Sequence, residues 1–132
     1  MKAPALRRKI RAYARGDAFL DAAFDYLKKS DYKSMKAALD ASRTAYSTAL
    51  KTYQKEDNEA AADYIKNRMK TVATLINAKN WLESNQPSSA AVDLRNLSLK
   101  YKNSGGRSAQ EYEMLRESIE ALAPKIREKK KS

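Results

Sequence analysis

The sequence predicts an all-α fold, a compact antiparallel bundle of about five helices with basic N- and C-terminal extensions. Three observations predict it. Gly occurs only at 16, 105 and 106 and Pro only at 4, 87 and 124, so residues 17–86 contain neither breaker. Val, Ile and Thr together number 12, too few for a sheet-rich domain of 132 residues. Apolar residues instead recur at helical spacing through most of the chain, and at 42% they are numerous enough for a core.

The first helix is carried by Leu20, Ala23, Phe24 and Leu27, with Asp17, Asp21 and Asp25 placed opposite. Leu6, Ile10 and Tyr13 continue that register upstream, and Asp17 beside Gly16 is the one mismatch. Two arrangements fit. In one, a single long helix kinked at Gly16 displays Arg7, Arg11 and Arg15 as a ladder; in the other, a break lets those arginines pair with the Asp row. Ser30-Asp31 supplies a turn and an N-cap. A second helix follows over about 32–53 through Met35, Ala38, Leu39, Ala45, Tyr46, Ala49, Leu50 and Tyr53. Asp57 or Asn58 caps a third, over 59–83, with a stripe at Ala61, Ile65, Met69, Val72, Leu75 and Ile76. The chain breaks again at Asn85-Gln86-Pro87-Ser88. A fourth helix capped by Ser88 or Ser89 then turns Ala90, Ala91, Leu94, Leu97 and Tyr101 one way. After a hinge at Asn103-Ser104-Gly105-Gly106, Ser108-Ala109-Gln110-Glu111 reads as a capping box. The fifth helix carries Tyr112, Leu115, Ile119 and Leu122 and loses its apolar face at Pro124.

The net charge of +11 is concentrated at the ends. Residues 1–16 hold six basic residues and no acid, residues 17–123 hold 16 basic and 15 acidic residues, and residues 124–132 hold five basic residues and one acid. The chain thus divides into a basic amphipathic arm (1–16), a nearly neutral bundle domain (17–123) and a lysine-rich tail (124–132). Folding gains nothing from crowding like charges, so arms of one sign point to an anionic partner. Arginine binds phosphate well because its planar fork donates two parallel hydrogen bonds. The expected contacts are Arg7, Arg8, Lys9, Arg11 and Arg15, with Lys125, Arg127, Lys129, Lys130 and Lys131 as auxiliaries. No base-reading motif accompanies them, so the function expected is non-catalytic association with DNA or RNA through phosphates, in a nucleoid or ribonucleoprotein setting.

With no Cys and no His, the chain has no thiol nucleophile, zinc–thiolate or iron–sulfur site, and no imidazole catalyst. Glu56, Asp57, Glu59 and Asp63 cluster where a helix N-terminus favours their ionised forms, which suits capping rather than acid–base catalysis. Gly105-Gly106 lacks the Lys-Ser/Thr of a phosphate loop. The expectation is therefore no enzyme, no metal and no cofactor. No apolar run approaches the roughly 18 residues that span a membrane. Residues 1–16 share the Arg-rich, acid-free composition of organellar targeting segments but lack Ser. The expected location is the cytoplasm or nucleoid, with organellar import left open.

The alternative is an adaptor. Trp81 falls nearly opposite the Ile65–Ile76 stripe, beside Thr74 and Ala78, and Val92 and Leu99 fall opposite Leu94 and Tyr101. These five residues are the candidate surface for a protein partner, or for neighbours in a larger assembly. Phe19, Ala23, Tyr26, Tyr32, Met35 and Leu39 fall near the tetratricopeptide template, but Ala61 and Ala90 do not sustain its roughly 34-residue period.

Overall fold

The computed structural model describes the backbone of residues 3–101 and 107–131 and the side chains of 13–101 and 110–129. It contains α1 (Ala3–Lys28), α2 (Tyr32–Lys55), α3 (Glu59–Glu83), α4 (Pro87–Tyr101) and α5 (Arg107–Lys131). The all-α bundle is as expected, and each helix packs on the next in the chain. The expected hinge at 103–106 lies outside the described residues.

The first three connections are built alike. Ser30, Asp57 and Asn85 each take a left-handed conformation, with φ of 59°, 54° and 58°. At each, paired backbone bonds close the preceding helix: Asp31 N–H to Tyr26 C=O and Ser30 N–H to Leu27 C=O at the first, with equivalent pairs at Asn58 and Gln86. Asp31 then accepts from Ser34 N–H and Asn58 from Ala61 N–H, each at 3.2 Å, so the residue that ends one turn caps the next helix. Three tight reversals of this kind force neighbouring helices to run antiparallel. The start of α4 differs from expectation. Pro87 is its first residue and Gln86 C=O accepts its first bond, so Ser88 and Ser89 lie inside it.

The bundle closes between α1 and α5, which run parallel. Lys28 Nζ lies 3.1 Å from Glu117, and Lys125 Nζ donates to Ser30 Oγ at 2.8 Å and to Tyr32 OH at 3.2 Å. This seam separates the fold from an open stack of hairpins. The core it encloses takes Leu20, Phe24, Met35, Leu39, Tyr46, Ile65, Val72, Leu75, Leu94 and Leu115, all fully buried.

Both boundaries assigned to the basic extensions fall inside helices. α1 passes through Gly16 unbroken because the glycine serves packing: a Cβ there would lie 2.6 Å from the Tyr46 ring. The buried Ser42 hydroxyl donates to Gly16 C=O at 2.8 Å, fastening α2 to the same point. α5 likewise continues past Pro124 to Lys131. Pro124 removes one hydrogen bond, but Ile126 packs on the core and Lys125 is anchored across the seam, so contacts beyond the proline hold the helix.

The inward face of α3 is also rotated from the expected stripe. Ala61, Met69 and Ile76 are only half-buried, whereas Ala62, Arg68, Thr71, Ala78 and Lys79 are buried beside Ile65, Val72 and Leu75. α3 sits between α2 and α4, so a wide face must be covered, and polar members enter it.

Candidate functional site

The described structure holds two distinct sets of charges, one sealed inside the bundle and one on its ends. The sealed set centres on Arg68. Its Nη1 donates to Glu111 Oε2 at 2.6 Å, its Nη2 lies 2.5 Å from Glu111 Oε1 and 3.3 Å from Asp17 Oδ1, and its Nε donates to Tyr46 OH at 3.2 Å. Tyr46 OH in turn donates to Asp17, and Thr71 and Tyr101 share a hydrogen bond beside the cluster. Every helix contributes: Asp17 from α1, Tyr46 from α2, Arg68 and Thr71 from α3, Tyr101 from α4 and Glu111 from α5.

Burial works against the Arg68 charge, yet the bonds and field of Glu111, aided by Tyr46, outweigh it and hold the guanidinium above its ordinary range. Burial and the bond to Asp17 raise the Tyr46 phenol, while Arg68 opposes that rise. The Tyr13 phenol is also raised, by burial first and then by its bond to Tyr64, whose ring centroid lies 5.3 Å away. The hub joins side chains of all five helices at one buried point.

The hub decides how the arginine ladder stands. Asp17 is buried and committed to Arg68 and Tyr46, and Asp25 lies 3.8 Å from Lys28. Arg15 is exposed and edges a groove with Phe19, Ala41 and Thr44. The side chains of Arg7, Arg8, Lys9 and Arg11 lie outside the described residues; their backbone belongs to α1. The expected helix break at Gly16 is corrected, because α1 runs through it unbroken; the pairing of Arg7 and Arg11 with the Asp row lies outside the described residues.

The C-terminal cations are less available than their number suggests. Lys125 is bound to Ser30 and Tyr32 and stands over the Tyr32 ring, and Lys129 donates to Asn85 C=O. Arg127 is exposed, and the side chains of Lys130 and Lys131 lie outside the described residues. The two basic ends do not converge. Because α1 and α5 are parallel, the α1 N-terminus and the α5 C-terminus lie at opposite ends of the bundle.

The expected partner surface is partly present. Trp81, Val92 and Leu99 are 43%, 51% and 68% exposed, and Trp81 shares a groove with Asn77, Asn80, Ser84 and Asp93. Ala78 is fully buried in the core and is removed from that surface; Thr74 is half-buried, its hydroxyl bonded to Lys70 C=O.

Sequence reasoning missed the hub. Glu111 is turned onto Arg68, and α5 already begins at Arg107, so the expected capping box at Ser108 is corrected. The available signal was the register: Asp17, Arg68 and Glu111 each occupy a position where the helical period calls for an apolar side chain. Among the described residues no group of acidic side chains is arranged to hold a metal ion, and no helix is long and apolar enough to cross a membrane. No protein-family model, curated protein or solved structure matches the chain.

Proposed function

We propose that the protein is a non-catalytic, nucleic-acid-associated helical bundle that grips phosphates through its basic ends without reading bases. The observation that carries this reading is that α1 runs unbroken through Gly16, so that positions 7, 11 and 15 stand at four-residue spacing on one helix and Arg15 is exposed. The principal contacts are Arg7, Arg8, Lys9, Arg11 and Arg15. Arg127, Lys130 and Lys131 form a second, weaker end, to which Lys125 and Lys129 add only by leaving their bonds within the bundle. Because the two ends lie on opposite sides of the bundle, they contact phosphates at separate places on a strand or grip two separate segments.

The test is the salt dependence of binding to mixed-sequence DNA and RNA. If about six phosphates on a duplex are neutralised, log affinity falls with log salt at a slope near −5. Replacing Arg7, Arg8, Lys9, Arg11 and Arg15 with Gln keeps good helix formers in α1 and should remove most of that slope. Unchanged affinity in this variant would overturn the reading. A second reading, an adaptor that docks a protein on the Trp81 surface, is favoured by the exposure of Trp81, Val92 and Leu99. Salt-insensitive association with a protein, lost on Trp81→Ala, would select it.

A further inference from the structure

Of five clefts on the described surface, four carry a carboxylate: Glu128, Asp40, the group Asp57, Glu59 and Asp63, and Asp93. The fifth, of about 250 Å³ between α3 and α4, is the smallest of the five and has no acid in its lining of Asn67, Lys70, Thr71, Leu97, Lys100 and Tyr101. We propose that this cleft is a binding site for a small phosphate dianion, either inorganic phosphate or a terminal phosphomonoester.

Lys70 and Lys100 project from neighbouring antiparallel helices into one cleft, and neither forms an ion pair with a described residue. Two like charges lining one cleft repel each other, and a doubly charged anion between them reverses the sign of that energy. Lysine suits this task as a compact point charge with three donors. Asn67 adds an amide at the rim. The Thr71–Tyr101 bond ties α3 to α4 beneath the lysines, so the spacing of the two helices is set before a ligand arrives. Burial raises the Tyr101 phenol, which keeps it neutral beside an anion. Size sets the ligand class: drug-sized molecules occupy roughly 300–1,000 Å³, so this cleft takes the phosphate of a ligand rather than a whole nucleotide. The site is lined by residues of α3 and α4 alone and does not depend on polynucleotide binding.

The experiment is an NMR titration of the full chain with sodium phosphate at constant ionic strength, with chloride as the control anion. The expected result is saturable shifts at Lys70, Lys100 and the Asn67 amide. Lys70→Gln and Lys100→Gln should each weaken binding about tenfold, the scale of one charge-assisted contact, and leave the unfolding transition unmoved because both lysines are exposed. Shifts that rise linearly without saturating and match those of the distant Lys33 and Lys51, or an affinity unchanged in both variants, would overturn the proposal. A tetrathymidylate with and without a 5′-phosphate separates the sources. Tighter binding of the phosphorylated strand than of inorganic phosphate assigns a strand end, and equal binding of the two assigns the free ion; either supports the site. Repeating the titration with the five-Gln α1 variant distinguishes this site from the polynucleotide reading, since phosphate should still saturate there.

Discussion

Arg68 and Arg15 stand two residues apart in register, since Arg68 contacts Asp17 on α1, yet they belong to different physical regimes. Arg68 is buried, paired with two carboxylates and bonded to a phenol, and removed from solvent ions. Arg15 is exposed, at the edge of a groove that also holds Asp40. The same guanidinium therefore specifies packing in one place and remains free for an anionic partner in the other. Coulomb energy falls with the local dielectric, so a lost partner inside is costly while an exposed pair is worth little.

The largest expected effect follows from breaking the inner set. Arg68→Met leaves Asp17 and Glu111 buried without their cation and should destabilise the fold by about 3–5 kcal/mol, read as a fall in the urea midpoint. Adding Asp17→Asn and Glu111→Gln to that variant removes the stranded charges and should recover much of the loss. If the single variant unfolds at the wild-type urea concentration, the hub is not holding the five helices together. An equivalent change at Arg15→Met should leave the midpoint nearly unmoved and act instead on the salt slope of nucleic-acid binding.

This contrast also explains what could be read from the sequence. The helices, their order and the caps at Asp31 and Asn58 were legible because each depends on residues a few positions apart. The surplus of charge at the ends was legible by simple counting. That the ends lie apart follows from five helices in alternating directions, an odd number that puts the chain termini on opposite sides. The hub was not legible in the same way. Asp17 stood out as a mismatch, but its partner Arg68 lies on another helix and Glu111 on a third, and a helical period says nothing about which polar positions meet. Arg68, Thr71 and Lys79 also lowered the apparent amphipathicity of α3, which is why the expected stripe was rotated toward Met69 and Ile76. Lys125 and Lys129 counted as tail charges because the partners that hold them, Ser30, Tyr32 and the Asn85 carbonyl, belong to the start of α2 and the turns before α2 and α4.

A smaller effect sharpens the comparison among the tyrosines. Tyr13, Tyr46 and Tyr101 have phenols raised chiefly by burial, so folding favours their protonated forms. An acid whose folded pKa is raised contributes stability that is complete below its unfolded value, about 10, and is lost as pH rises above it. In a titration followed at the phenolate absorbance, these three of the eight tyrosines should stay silent while the fold persists, then ionise together with unfolding. Tyr46→Phe should move that alkaline unfolding to higher pH while lowering stability at pH 7, because Arg68 and Asp17 lose a partner. Independent ionisation of all eight near pH 10, with the helices intact, would show that the interior is open to water.

The smallest effect lies at the caps, where an exposed carboxylate can be compared with an exposed amide in the same role. Asp31 and Asn58 accept equivalent bonds at the starts of α2 and α3, but only Asp31 titrates. Its bonds to Ser34 hold its carboxyl below the ordinary value, with Lys29 and Lys33 adding a little. A depressed carboxyl contributes stability that is present above its unfolded pKa and fades as pH falls through the folded one. Asp31→Asn retains the cap and removes this dependence, so the variant should match the wild type near neutrality and lose less stability below about pH 4. Being exposed, the group should move the acid transition only slightly, in contrast to the collapse expected when Arg68 is removed from Glu111. An Asp31→Asn change as damaging as Arg68→Met would erase the distinction between inner and outer charges on which the account of both rests.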